Sequence, residues 1–332
     1  MKRKLLESIF FNYFGTIAAA LGPLLALPVY LAALGKTQWG LVSVVTSVVL
    51  LLTMMEGGLA QVLVREFALL ARRHGGPSKE VRSLLLGSQY LYGLAGLLLA
   101  CGLALSSGWI ATHLLNLTSD TDPHEVARLL MLGALLVAIQ FFAALPRSVL
   151  LALHLHRPLN VAIAMAHVLR YGLGALVAWQ LQSVQWLLIW YVTVAVAECL
   201  VRYVMAWRAI DLPAQGERVN WSSIQELAPG AAKMSLAVIL SGLTTQMDKL
   251  ILFKLVEVDQ VGFYAIASSV ALGVLSFTYP LIQAVFPTLL SFRDDKRRMR
   301  KIFMVWLASA TACAALSASR RSPAVRADRR WR

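Results

Sequence analysis

Long apolar runs alternate with short polar stretches along this chain. A bilayer crossing takes about 20 consecutive, mostly apolar residues. Nine stretches meet that length: roughly 9–34, 39–62, 83–107, 127–147, 159–181, 185–207, 233–256, 261–290 and 302–318. The pattern predicts an all-α, polytopic membrane protein. Composition agrees, because 58% of the 332 residues are hydrophobic and only 14% are charged. A soluble domain is about half apolar and a quarter charged. The first run follows MKRK. It is too long for a signal peptide, and no small-residue cleavage site follows promptly, so it reads as a retained helix.

Charge placement gives an orientation. Basic residues gather before span 1 and in alternate loops: Arg65, Arg72, Arg73, Lys79 and Arg82, then Arg147 and Arg157, then Arg208, Arg218 and Lys233. The intervening loops are nearly free of them. Basic loops stay on the cytoplasmic side, so the N-terminus is expected in the cytoplasm. The net charge of +14 then reflects membrane topology. No basic patch stands apart from the loops, so nucleic acid is not an expected partner. The ending SASRRSPAVRADRRWR puts six arginines where an outer segment is expected. That conflict suggests a native chain continuing past about residue 318, with 319–332 non-native. A disordered basic tail is the other reading. Cys101, Cys199 and Cys313 all fall in spans and give neither a disulfide framework nor a metal spacing.

Two segments match at an offset of 222 residues. GKTQWGLVSVVTSVV (35–49) and EVDQVGFYAIASSVA (257–271) align Gln38 with Gln260, Gly40 with Gly262 and Ser47 with Ser269. Six spans separate them, an even number, so the repeat is parallel with its axis along the membrane normal. It divides the chain into a six-helix N-terminal lobe (1–210), a linker with an interfacial helix (211–232) and a partial second lobe of three helices (233–318). The linker helix is read from NWSSIQEL, with Trp221, Ile224 and Leu227 at helical spacing.

These segments, with EGGLAQVLVREFA, TQMDKLILFKLVEVDQVGFYAIASSV and PLIQAVFPTLLSF, resemble the Wzx-type O-antigen and polysaccharide flippases. Those belong to the multidrug/oligosaccharidyl-lipid/polysaccharide superfamily. The resemblance covers nearly all of residues 8–292. It implies alternating access between two lobes in a bacterial inner membrane. It also implies a cargo of undecaprenyl-pyrophosphate-linked oligosaccharide, and membrane lipids, a polymerase and glycosyltransferases as partners. The family has a dozen or more helices, and this chain has nine candidates.

Charges inside the spans are the candidate site residues. Arg170 lies deep in span 5, with His167 one turn before it. Such a cation costs about 2.5–3.5 kcal/mol on insertion scales and usually faces a cavity or a partner. Folding the 5–6 hairpin back places Glu198 at the same depth. One reading makes Arg170, His167 and Glu198 a site for the lipid pyrophosphate, since guanidinium forks suit phosphate. The plain alternatives are a neutralising Arg170–Glu198 pair, or a Glu198–Arg202 pair at i, i+4. Glu56, with Gly57, Gly58, Gln61 and Arg65, makes a polar inner end to span 2. It reads either as tight glycine packing or as a loading point for the headgroup. Asp248, with Thr245 at i−3 and Ser241 at i−7, reads either as a proton or sodium site or as a hydrogen bond to span 8 near Ser268 or Ser269. No nucleophile elbow, P-loop or paired-carboxylate motif is present. No enzyme activity, cofactor or metal is expected. A multidrug exporter of the same superfamily, or an integral-membrane glycosyltransferase or assembly partner, are the alternative functions.

Overall fold

The computed structural model describes residues 2–117, 121–210, 221–276 and 304, and among these there are helices joined by short turns and irregular segments, with no strand. The elements are α1 (Lys2–Met54), α2 (Glu56–Arg73), α3 (Lys79–Trp109), α4 (Pro123–Ala152), α5 (His156–His167), α6 (Gly174–Leu181), α7 (Val184–Ile210), α8 (Trp221–Leu255) and α9 (Val258–Ser276). A π-helical turn, Ile110–Leu114, extends α3, and another, Val168–Leu173, joins α5 to α6.

Six helical stretches among the described residues are long and apolar enough to cross a membrane. The reading of nine is not reached for definite reasons. Predicted spans 1 and 2 share the stretch Leu21–Met54, which is counted once. Most of that merger is nominal, because Gly35 breaks α1 with φ 74° and ψ 174°. Only glycine takes that backbone cheaply. The rings of Tyr30 and Trp39 stack at 5.5 Å. Nine residues of straight helix would separate them by about 13.5 Å, so the chain folds back at Gly35. Residues 277–290 of predicted span 8, all of predicted span 9 except Met304, and the 319–332 tail lie outside the described residues. So does the linker segment 211–220, and from Trp221 the expected interfacial helix runs without interruption into α8.

Helix starts and stops follow local chemistry. The Ser78 hydroxyl accepts from the Val81 amide to cap α3, and Asp122 accepts from the His124 amide to cap α4 beside Pro123. Gly75 and Gly76, both at positive φ, close the α2–α3 turn. Loops 74–78 and 153–155 share one end of the bundle with the end of α7. The turns at Gly35, Gln182 and Glu257 alternate with them along the chain, at the other end. We call the first the basic end, since Arg65, Arg72 and His154 lie there.

Gly40 and Gly262, aligned at the offset of 222, meet in space. A Cβ on Gly262 would stand 2.9 Å from the Lys36 carbonyl oxygen and 3.5 Å from the Gly40 Cα. A Cβ on Gly40 would stand 2.3 Å from the Val258 carbonyl oxygen. Small residues let membrane helices approach at backbone distance. Here α9 crosses the second arm of α1 at the end opposite the basic one. A second close crossing joins α2 to α8, where a Cβ on Gly58 would fall 2.1 Å from the Ser235 amide nitrogen.

Tyr30 ties the first arm of α1 to the π-helical turn. Tyr191 Oη donates to Tyr30 Oη at 3.2 Å, and Tyr30 donates to the Tyr171 carbonyl at 3.3 Å. Interhelical hydrogen bonds in membranes are worth about 0.6 kcal/mol each on average. Tyr30→Phe, which breaks two, is therefore expected to lower stability by about 1 kcal/mol. The check is the thermal unfolding midpoint of the purified chain in detergent.

Candidate functional site

A cavity of about 440 Å³ lies between the second arm of α1, α2, α4, the α5–α6 segment, α7 and α8. Its charged lining is Glu56, Arg147, Arg170, Glu198 and Arg202, with His167 and Gln140 beside them. Arg170 and Glu198 sit near mid-length of their spans. Arg170 is 14 residues into the stretch His156–Leu181, roughly 21 Å from its start. A bilayer core is about 30 Å thick, so the cavity is at membrane depth.

Glu198 holds two arginines at once. Arg170 Nη2 donates to Glu198 Oε2 at 3.2 Å, and Arg202 Nη2 donates to Glu198 Oε1. The side chains of Arg170, Glu198 and Arg202 are 15%, 11% and 13% exposed. The two pairings weighed from the sequence as competitors therefore coexist, one carboxylate oxygen for each. Three arginines face two glutamates, which leaves one positive charge in excess. Ring and guanidinium nitrogens are left unpaired as well. Among the described residues, Nε of Arg170, Nε of Arg202 and Nδ1 of His167 are buried without a hydrogen-bond partner. Buried polar groups are costly unless paired, so these three nitrogens are a standing cost of the charged wall.

The π-helical turn Val168–Leu173 carries Arg170. Such turns are rare and concentrate at functional sites. They leave backbone carbonyls off the regular ladder, and neighbouring helices satisfy them here. Trp190 Nε1 donates to the Leu169 carbonyl at 3.0 Å, and Tyr30 donates to the Tyr171 carbonyl. The His167 ring stacks on Tyr171 at 5.8 Å with 12° between planes. Gly174 gives the Tyr30 hydroxyl room, since a Cβ there would be 2.8 Å from it. Arg170 is thus mounted on a segment braced from two sides.

Of the sequence candidates, Arg170, His167, Glu198 and Glu56 come together in this cavity, and Arg65 does not. Arg65 is nine residues along α2 from Glu56 and lines a separate cleft at the basic end. Gly58 of the same polar segment packs against Ser235, as the tight-packing reading of that segment requires. Asp248 is also elsewhere. Tyr264 Oη donates to Asp248 Oδ2, so the bond to α9 exists but through Tyr264. Ser268 instead donates to the carbonyl of Ala265 on its own helix, at 3.1 Å. Ser241 is exposed, and the Thr245 side chain lies outside the described residues. Among the described residues no group of three His, Cys, Asp or Glu side chains forms a metal site.

Sequence reasoning missed Arg147 and Gln140. It ended span 4 at Arg147 and treated that residue as a loop charge. In the structure α4 runs on to Ala152. The signal was present, because Gln140, Ala143, Ala144 and Arg147 have i, i+3, i+4, i+7 spacing, one face of a helix.

A family model described as polysaccharide biosynthesis protein matches residues 5–292. No curated protein and no solved structure matches the chain.

Proposed function

The chain belongs to the polysaccharide biosynthesis protein family, and from that premise we propose that it is a Wzx-type flippase. In this reading it moves a diphosphate-linked saccharide lipid from the inner to the outer leaflet. The observation that carries the proposal is the mid-membrane cavity lined by three arginines against two glutamates. An anionic headgroup crossing a bilayer needs such a wall, because the core offers it no water. Arginine supplies planar, two-pronged donors that match phosphate oxygens. Glu198 accepts from one such donor on each of Arg170 and Arg202 and yields them to a phosphate. The excess positive charge favours an anion over the organic cations of a multidrug exporter.

The basic end faces the cytoplasm in this reading, consistent with the placement of basic loops. The matched segments 35–49 and 257–271 supply the two-lobe logic. Their glycines form the α1–α9 crossing at the far end, the contact that would have to part for release on that side. Glu56, Arg147 and His167 complete the lining. The polymer-forming enzymes that consume the sugar unit are the expected partners.

The test is transport in cells that depend on this protein for surface polysaccharide. Arg170→Ala is expected to cut export at least tenfold and leave lipid-linked saccharide on the cytoplasmic leaflet. Arg170→Lys keeps the charge and loses the fork, so it is expected to recover only part of the export. Normal export by a stably folded Arg170→Ala would overturn the proposal.

A further inference from the structure

Below the cavity, at the basic end, the same three helices form a second concavity. It measures about 880 Å³ and is lined by Arg65 and Arg72 of α2, by His154 after α4 and by Ala209 of α7, with Gly75 and Gly76 at its rim. The register between the two sites is close. Glu56 to Arg65 is nine residues on α2; Arg147 to His154 and Arg202 to Ala209 are seven each. At 1.5 Å per residue the cleft lies about 10–14 Å nearer the basic end than the cavity. The spacing of seven keeps one face of α4 and one face of α7 toward both sites, while Arg65 and Arg72 reach the cleft from the side of α2 opposite Glu56.

The cleft carries one sign of charge. Among the described residues no carboxylate lines it. Glu66, Glu80 and Glu226, described acidic residues at this end, line a different groove together with Arg73. Arg65 and Arg72, seven residues apart, share one face of α2, and Glu66 and Arg73 occupy another. The floor is fixed rather than open coil. Gly76 N donates to the Ala71 carbonyl at 2.8 Å, and His154 holds φ 60° at the end of α4. A cationic concavity at the basic-loop end attracts anions. Its volume falls in the range of about 300–1,000 Å³ typical of ligand pockets, more than a lone phosphate fills.

We propose that this cleft is a separate receiving site for a phosphate-bearing headgroup, in which Arg65, Arg72 and His154 hold the phosphates before the cavity takes them. The shared chemistry is a diphosphate anion, whether free or on a lipid. The inference extends the flippase reading, but the two are measured at different arginines.

The experiment is arginine footprinting on the full chain in phosphatidylcholine nanodiscs. Phenylglyoxal modification of Arg65, Arg72, Arg170 and Arg202 is followed by peptide mass spectrometry. The probes are inorganic diphosphate, a polyprenyl diphosphate and phosphatidylglycerol. Arg65 and Arg72 are expected to be protected by polyprenyl diphosphate, and to remain so in Arg170→Gln. Protection by inorganic diphosphate as well assigns recognition to the phosphates alone; protection by the lipid only assigns it to the lipid-borne headgroup. Arg65→Gln is expected to weaken the protection of Arg72 about tenfold, the scale of one lost charge-assisted hydrogen bond. Protection of neither residue, or equal protection by phosphatidylglycerol, would overturn the proposal. Protection of Arg65 and Arg72 with Arg170 untouched would leave the cleft standing and remove the cavity reading instead.

Discussion

Glu198→Ala is expected to destabilise the middle of the bundle more than any other single change in the cavity. Glu198 is the carboxylate on which Arg170 and Arg202 converge. Without it the two guanidinium groups stay buried, face Arg147, and among the described lining residues have only Glu56 to offset them. Removing one partner of a buried ion pair costs about 3–5 kcal/mol, because the remaining charge is stranded. Here two charges are stranded, so the upper half of that range is expected. Glu198→Gln keeps the volume and is expected to cost nearly as much, which separates charge from packing. The measurement is thermal unfolding in detergent, run as a double-mutant cycle with Arg170→Ala. The double variant is expected to be more stable than Glu198→Ala alone. Simple addition of the two single effects would show that the carboxylate is held by Arg202 and owes nothing to Arg170.

Gly58→Ala has the second largest expected effect, and it acts without touching a charge. The added methyl group would lie 2.1 Å from the Ser235 amide nitrogen and 2.2 Å from the Ser235 Cα. Those are backbone atoms, so no rotamer change relieves the clash. The crossing of α2 and α8 has to open, and overpacking of this kind costs about 1–3 kcal/mol. Transport is expected to fall sharply as well, because Glu56 and Gly57 at the start of α2 and Val238 of α8 all border the cavity. Gly108→Ala is the control. Nothing lies within 4 Å of a Cβ at Gly108, and alanine is the better helix former by about 1 kcal/mol, so that variant is expected to be neutral or slightly more stable. Equal loss of transport in both variants would mean that the α2–α8 crossing is not the cause.

What the sequence revealed depended on the kind of signal. Apolar runs of spanning length located α3, α4, α7 and the α5–α6 segment within a few residues, because burial in lipid leaves few other residue choices. The meeting of Arg170 with Glu198 followed from hairpin arithmetic about a turn centred near residues 183–184. That arithmetic works because both arms rise at a near-constant rate. It carried no information on the π-helical turn at Val168–Leu173, whose geometry rests on distant partners, Tyr30 and Trp190. Arg65 was grouped with Glu56 by nearness in sequence, although nine residues of helix put it in another concavity. Arg147 was lost through an error of five residues in a helix end, where hydropathy fades but the helix does not. The tyrosine that meets Asp248 was hidden by the register of the α8–α9 turn, which span boundaries do not fix.

The most direct test of the central claim is leaflet-resolved translocation by the full chain in proteoliposomes. The cargo is a polyprenyl diphosphate disaccharide, compared with the same disaccharide on a neutral lipid. The account predicts transfer of the diphosphate cargo, little transfer of the neutral one, and loss of that preference in Arg170→Ala/Arg202→Ala. Equal transfer of both cargoes, or a preference that survives in the double variant, would contradict it.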